Sequence, residues 1–229
     1  MQEGKSTNNA EDATGLAIIK SGISPSARHP RSLSDKVEIE RRKQMLAMPH
    51  MLPLNAFVVD LRRDGRGFVP DFDPLDGGAE ARILFLLEKP GPKTDPRKGG
   101  SGFVSRDNND ATAEAIFRFM AIAGLRREDT VIWNTVPWWD QTISIKSAAW
   151  KEGLEHLHDL TRILPNLRSV VLVGAKAGRA GSFFEEQGYR VWYSAHPSGR
   201  VRAAYPALYQ AIPKVWKEAA NNVGAPTGK

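Results

Sequence analysis

From residue 82 onward, four short apolar segments recur, with helix-length stretches between them. They are RILFLL at 82–87, TVIWN at 130–134, SVVLV at 169–173 and YRVWYS at 189–194. Each is far too short to cross a bilayer. Strands this uniformly apolar belong in a sheet buried on both faces. Alternation with helices then predicts a three-layer α/β/α fold around a central four-stranded parallel sheet. The spacing places helices at Asp110–Gly124, Ser147–Leu164, Lys176–Gln187 and Ala203–Ala220. Their inward stripes are Ala115, Phe119 and Ile122; Trp150, Leu154, Leu157, Thr161 and Leu164; and Leu208, Ile212, Val215 and Ala219.

The first part of the chain reads differently. Residues 1–34 are rich in Ser, Asn, Gly and Pro and are expected to form a flexible tail. The domain is expected over 35–225. SDKVEIERRKQML starts with a good cap, Ser34 or Asp35, and predicts a short helix. From Pro49 to Gly78 the pattern is irregular, and DFDPLDGG is turn chemistry. The first residues lack the charged-then-apolar layout of a secretion signal.

Composition narrows the function classes. With no cysteine, disulfides and thiolate-held zinc or iron–sulfur clusters are excluded. An intracellular, cytoplasmic protein is expected, bacterial and nucleoid-associated when on DNA, with neither a membrane nor an obligate protein partner. The formal net charge of +6 fits a polyanionic partner such as nucleic acid. By itself it fits a solvated charged surface equally well.

In a parallel sheet, ligands bind beyond the carboxyl ends of the strands. The loops there read Glu88-Lys89-Pro90-Gly91, Asn134 followed by TVPWWD, and His196-Pro197-Ser198. Between the first strand and its helix lies Gly102-Phe103-Val104-Ser105-Arg106. Gly174, Gly178 and Gly181 resemble a phosphate loop only superficially, because no Gly-Lys-Ser/Thr follows; close helix–strand packing explains them better. His156 and His158, two apart on a helix, point to different faces, so no metal site is expected.

This order of motifs resembles the uracil-DNA glycosylase superfamily: a Pro-Gly loop, a stacking Phe, a strand-terminal Asn and a His-Pro-Ser loop, over about residues 80–215. The resemblance implies removal of uracil or a related deaminated base from DNA, without cofactor or metal. Phe103 would stack on the extruded base and Asn134 would read its edge. His196 would donate to the base O2 as negative charge develops there. Pro90, Gly91 and Lys89 would border the base. Ser198, Arg200, Val201 and Arg202 would engage DNA, Val201 as the wedge between flanking arginines.

Two departures alter the expected chemistry. Lys89 stands where the best-known branch has a catalytic Asp, and an ammonium ion cannot accept a proton. Gly91 replaces an aromatic ring that excludes thymine in that branch. Glu88 is the first candidate to activate water and Asp107 the second. Plainer roles stand beside these: core packing for Phe103, loop support for Asn134, capping or packing for His196, ion pairing for Glu88, and a pocket wall for Trp138 and Trp139. The alternatives at the level of function are a glycosylase-fold protein that binds uracil-containing or abasic DNA without cleaving it, and an unrelated Rossmann-like enzyme acting on a small molecule.

Overall fold

The computed structural model describes residues 29–222. Helix α1 (Lys36–Met45) starts at Asp35, whose carboxylate accepts from Val37 N. Helix α2 (Leu52–Arg63) follows, then β1 (Asp71–Phe72), β2 (Ile83–Leu87) and β3 (Phe103–Val104). Helix α3 (Ala111–Ile122) leads to β4 (Thr130–Asn134), and α4 (Ser147–Arg162) to β5 (Ser169–Val173). Two short helices, α5 (Ala175–Gly178) and α6 (Gly181–Glu186), precede β6 (Arg190–Ser194). Helices α7 (Gly199–Ala204) and α8 (Pro206–Asn221) complete the order.

Four strands form the main sheet in the order β4-β2-β5-β6, with every pairing parallel. Phe85 lies level with Ile132 on one side and Val171 on the other. Successive residues of a strand face opposite ways, and both faces are covered. Phe85 meets Trp216 of α8 edge-on at 5.0 Å, and Phe119 of α3 meets the same indole at 6.1 Å. On the other face Trp133 stacks on Phe72 at 3.7 Å, with Phe57 of α2 at 6.2 Å. The expected three-layer α/β/α architecture is the one observed. Strands β1 and β3 form a separate two-stranded parallel ribbon.

Several local expectations need correction. The stretch 49–78, read as irregular, contains α2, which buries Leu54, Val58 and Leu61 at helical spacing. Pro53 in its first turn looks like a breaker but costs no hydrogen bond there. Residues 29–34, assigned to the tail, are placed: Ser32 and Leu33 are buried, and Leu33 N donates to Asp107 O. The rest of the tail expectation, residues 1–28, and positions 223–225 of the expected domain lie outside the described residues. Ile122 and Leu208, expected inward, are 67% and 59% exposed. Ile116 and Met120 on α3 and Trp216 on α8 take the buried positions. The helix expected at 176–187 divides into α5 and α6, and the one expected from 203 begins at Pro206. Gly181 does serve close packing, since a Cβ there would collide with the Tyr193 side chain of β6, whereas one on Gly178 would make an ordinary contact with the same ring.

Beneath the ribbon lies a buried ion cluster that the sequence did not suggest. Arg42 of α1 is fully buried and donates to Glu38 (2.8 Å), Asp73 (2.6 Å) and Asp107 (2.7 Å). Arg127 reaches Asp73, Asp76 and Asp107 at 2.6–3.0 Å, and Arg106 pairs with Asp76 at 3.1 Å. Burial would raise the Asp73 carboxyl, but Arg42 and Arg127 overcome it and hold it at about 2. For Asp76 burial prevails over Arg106 and Arg127 and pushes the carboxyl up to about 6. Asp73 and Asp76 belong to the segment read as turn chemistry. Together with Arg42 they hold residues 105–107 from behind, through Ser105 Oγ on Asp73 and Asp107 on Arg42.

Candidate active site

The strand order sets the position of the site. The strand order switches sides at β2, with β4 on one side and β5 on the other, and such a switch opens a crevice at the carboxyl ends. A cavity of about 310 Å³ occupies that crevice, near the lower end of the ~300–1,000 Å³ typical of small-ligand sites. It is lined from β2 and its loop by Leu87, Lys89, Pro90 and Gly91, and from β4 by Ile132 and Asn134. Val104, Ser105, Asn108 and Asp110 form another wall, and His196 closes the set.

Asn134 ends β4 and is 3% exposed. Its backbone is held in register with Leu87, and Thr135 N donates to Leu87 O at 2.8 Å. Among the described residues nothing hydrogen-bonds to its side-chain amide. An amide that opens on the cavity without a protein partner is available to water or to a ligand.

His196 follows β6, two strands away from β2, and must cross the end of β5 to reach the cavity. Gly174 makes this crossing possible. It follows β5 directly with φ at +94°, and a Cβ there would sit 3.0 Å from the Cβ of His196 and 3.4 Å from its ring Cδ2. Ser198 fixes the far side of the loop by capping α7, its hydroxyl accepting from Val201 N at 3.3 Å. Burial lowers the His196 pKa, opposed by the carboxylates of Glu88 and Asp110 and assisted by Lys176. The ring is therefore neutral at pH 7, with one N–H to donate.

Other expected residues are placed differently. Lys89 borders the cavity, but its ammonium is bonded to Asp140, with Thr142 Oγ1 and Ser144 O at 3.3 Å and the Trp139 ring at 5.9 Å. Glu88 is outside the lining and pairs with Lys176 at 3.2 Å. Phe103 is fully buried and outside the lining, with Val104 taking the wall position beside it. Strand β3 turns the Phe103 ring inward, because alternate residues point to opposite sides. Asp107 is fully buried in the ion cluster, bonded to Arg42 and Arg127, and does not border the cavity. Arg200 and Arg202 are exposed on α7, whereas Val201 is half-buried.

The sequence reading missed Asp110 as a site residue. This carboxylate lines the cavity and caps α3, its Oδ1 accepting from Thr112 N and Ala113 N at 2.9 Å. The signal was present, since Asp110 was identified as the helix start. A cap at the carboxyl end of a sheet necessarily lies near the ligand crevice.

Among the described residues no helix is long and apolar enough to cross a membrane. No curated protein matches the chain. A solution NMR structure of a candidate uracil DNA glycosylase from Methanosarcina acetivorans is similar to it at 17% identity and a TM-score of 0.40, over 62% of this chain and 92% of that one. That likeness is too low to carry an argument. The uracil DNA glycosylase superfamily matches residues 74–220, more than half of the chain, including every strand of the main sheet and every cavity residue named above. The chain therefore belongs to the uracil DNA glycosylase superfamily.

Proposed function

We propose that this protein hydrolyses the N-glycosidic bond of uracil, or a closely related deaminated base, in DNA. The observation that carries the reading is that Asn134, whose side-chain amide bonds to no other described residue, lines the same cavity as the neutral imidazole of His196. An amide offers one donor and one acceptor group, which matches the edge of a pyrimidine. A bidentate contact of this kind discriminates by about 1–3 kcal/mol. As the bond to C1′ breaks, its electron pair moves onto the base, and the His196 N–H stabilises the charge at O2. A positioned donor of this type is worth about 2.7–4 kcal/mol.

Asp110 is the group we assign to water activation. It borders the cavity and acts electrostatically on His196, whereas Asp107 is committed to two arginines and Glu88 to Lys176. Its carboxylate takes a proton as water adds to C1′ and gives it up, through solvent, to the departing base anion, leaving free base and an abasic site. Lys89, held by Asp140, serves to fix the first loop rather than to move a proton. Lys93 at the cavity wall and the exposed Arg200 and Arg202 supply charge for the DNA backbone. Phe103, enclosed as it is, acts here as support for the Val104 wall.

Incubation with uracil-containing oligonucleotides, followed by alkali, tests the reading. Strand breaks at uracil are expected, with Asn134→Ala losing tenfold or more of the preference for uracil over thymine. Salt-sensitive binding without breaks, across single strands, U·G pairs, hypoxanthine and xanthine, would instead assign the site to recognition alone.

A further inference from the structure

On the α2–α4 side of the molecule, three side chains converge at a place the glycosylase reading does not use. Glu152 and His156 lie one turn apart on α4, and Asp64 sits at the carboxyl end of α2. Their potential ligand atoms all lie within 4.8 Å of one another. His156 Nε2 is enclosed and has no hydrogen-bond partner among the described residues, and the Asp64 carboxylate is 3.7 Å away. The ring also packs edge-to-face with Trp138, with centroids 6.3 Å apart. An imidazole nitrogen directed at two carboxylates, with nothing bonded to it, is a donor set that suits a divalent transition ion.

We infer that Asp64, Glu152 and His156 form a binding site for a zinc-class divalent cation. Three donors bound at 2.0–2.2 Å to one ion stand roughly 3.3–3.5 Å apart, so modest side-chain rotations close the group. The principal competitor is Arg66, whose guanidinium is 2.9 Å from Glu152. Arg66 is 56% exposed against 23% for Glu152, so solvent screens the arginine side of this pair. Lys151 and Glu155 line the hollow on one side, and Asp60 and Asp159 the hollow on the other. The local balance is therefore acidic enough to receive a cation. Because the ligands come from two helices, the ion would fasten the end of α2 to α4. His158, expected with His156 to form no metal site, takes no part: it is exposed and faces Asp159. The partners of His156 come from a turn earlier in its helix and from another helix, where histidine spacing gives no clue.

Equilibrium dialysis of the chelator-treated full chain against zinc, with cobalt absorption spectra as a second readout, tests the inference. One zinc per chain at micromolar free metal is expected, accompanied by a rise in Tm. His156→Ala and the near-isosteric Glu152→Gln should each weaken binding at least tenfold, with His158→Ala unchanged. Arg66→Ala should tighten it severalfold, because the competitor for Glu152 is gone. Equal stoichiometry and affinity in wild type, His156→Ala and Glu152→Gln would overturn the assignment, as would no uptake at free zinc about 100-fold above the expected range. Glycosylase activity is not a readout, so this result stands apart from the proposed function.

Discussion

Gly174 and His196 approach so closely that a single added methyl would bring the two Cβ atoms within 3.0 Å. The glycine also has φ at +94° and ψ at 160°, a region that other residues rarely enter. Gly174→Ala therefore carries both backbone strain, about 1–3 kcal/mol, and a collision with the His loop. We expect a lower Tm and a drop in uracil excision larger than the stability loss explains at 25 °C. An alanine variant with wild-type turnover would show that His196 reaches the cavity without this glycine.

Asp110 and Asp107 separate chemistry from structure. Asn caps a helix as well as Asp does, so Asp110→Asn should keep α3 intact while removing the proton acceptor. Single-turnover excision should slow by about 10²–10⁴-fold, the usual range for a general base, with binding to uracil DNA retained. Asp107→Asn should lower Tm, because Arg42 and Arg127 lose a buried counter-charge, and leave the chemical step nearly unchanged. The reverse pattern would return the catalytic assignment to Asp107.

For His196, replacement by Ala should slow cleavage by about 10²–10³-fold. The histidine also has a stability signature. Burial lowers its pKa in the folded protein, so the unfolded chain takes up a proton first as pH drops. Its contribution is complete above about pH 6.5 and declines as pH falls through that value toward the lower folded pKa. Urea unfolding at several pH values should show this slope in the wild type and lose it in His196→Gln.

Asp76 titrates in the opposite sense. Its carboxyl is raised to about 6, so the folded state holds a proton that the unfolded chain releases near pH 4. Stability from this group is present at low pH and is lost as pH rises from about 4 to about 6. Asp76→Asn, neutral throughout, should flatten that part of the stability profile. A profile that stays steep in the variant would mean that Arg106 and Arg127 keep Asp76 ionised.

The sheet was readable in the sequence because each strand is apolar along its whole length, and all four strand positions held to within a residue. The Asn134 and His196 loops were readable because strand ends in parallel sheets mark the crevice. What could not be read depended on charges far apart in sequence. Arg42, Asp73, Asp107 and Arg127 span 86 positions, and nothing local distinguishes a buried arginine from a solvated one. In the sequence, Asp107 therefore reads as a candidate beside the loop and Asp73 as part of a turn, whereas the structure pairs both with buried arginines. Helix α2 was obscured by Pro49 and Pro53, which the first turn of a helix tolerates. Phe103 shows a further limit: in a two-residue strand, periodicity is too brief to say which side chain faces the cavity.

The cluster also decides how the protein can be divided. The family match begins at residue 74, after Arg42 and Asp73 and after the whole of α2. A fragment cut at that boundary keeps the cavity residues but strands Asp107 without Arg42 and leaves Trp133 without Phe57 and Phe72 over its ring. A folding unit is therefore expected to start well upstream of the segment that carries the cavity residues. Expression libraries or loop grafts trimmed to the homologous segment are expected to lose stability even though every cavity residue named above is kept.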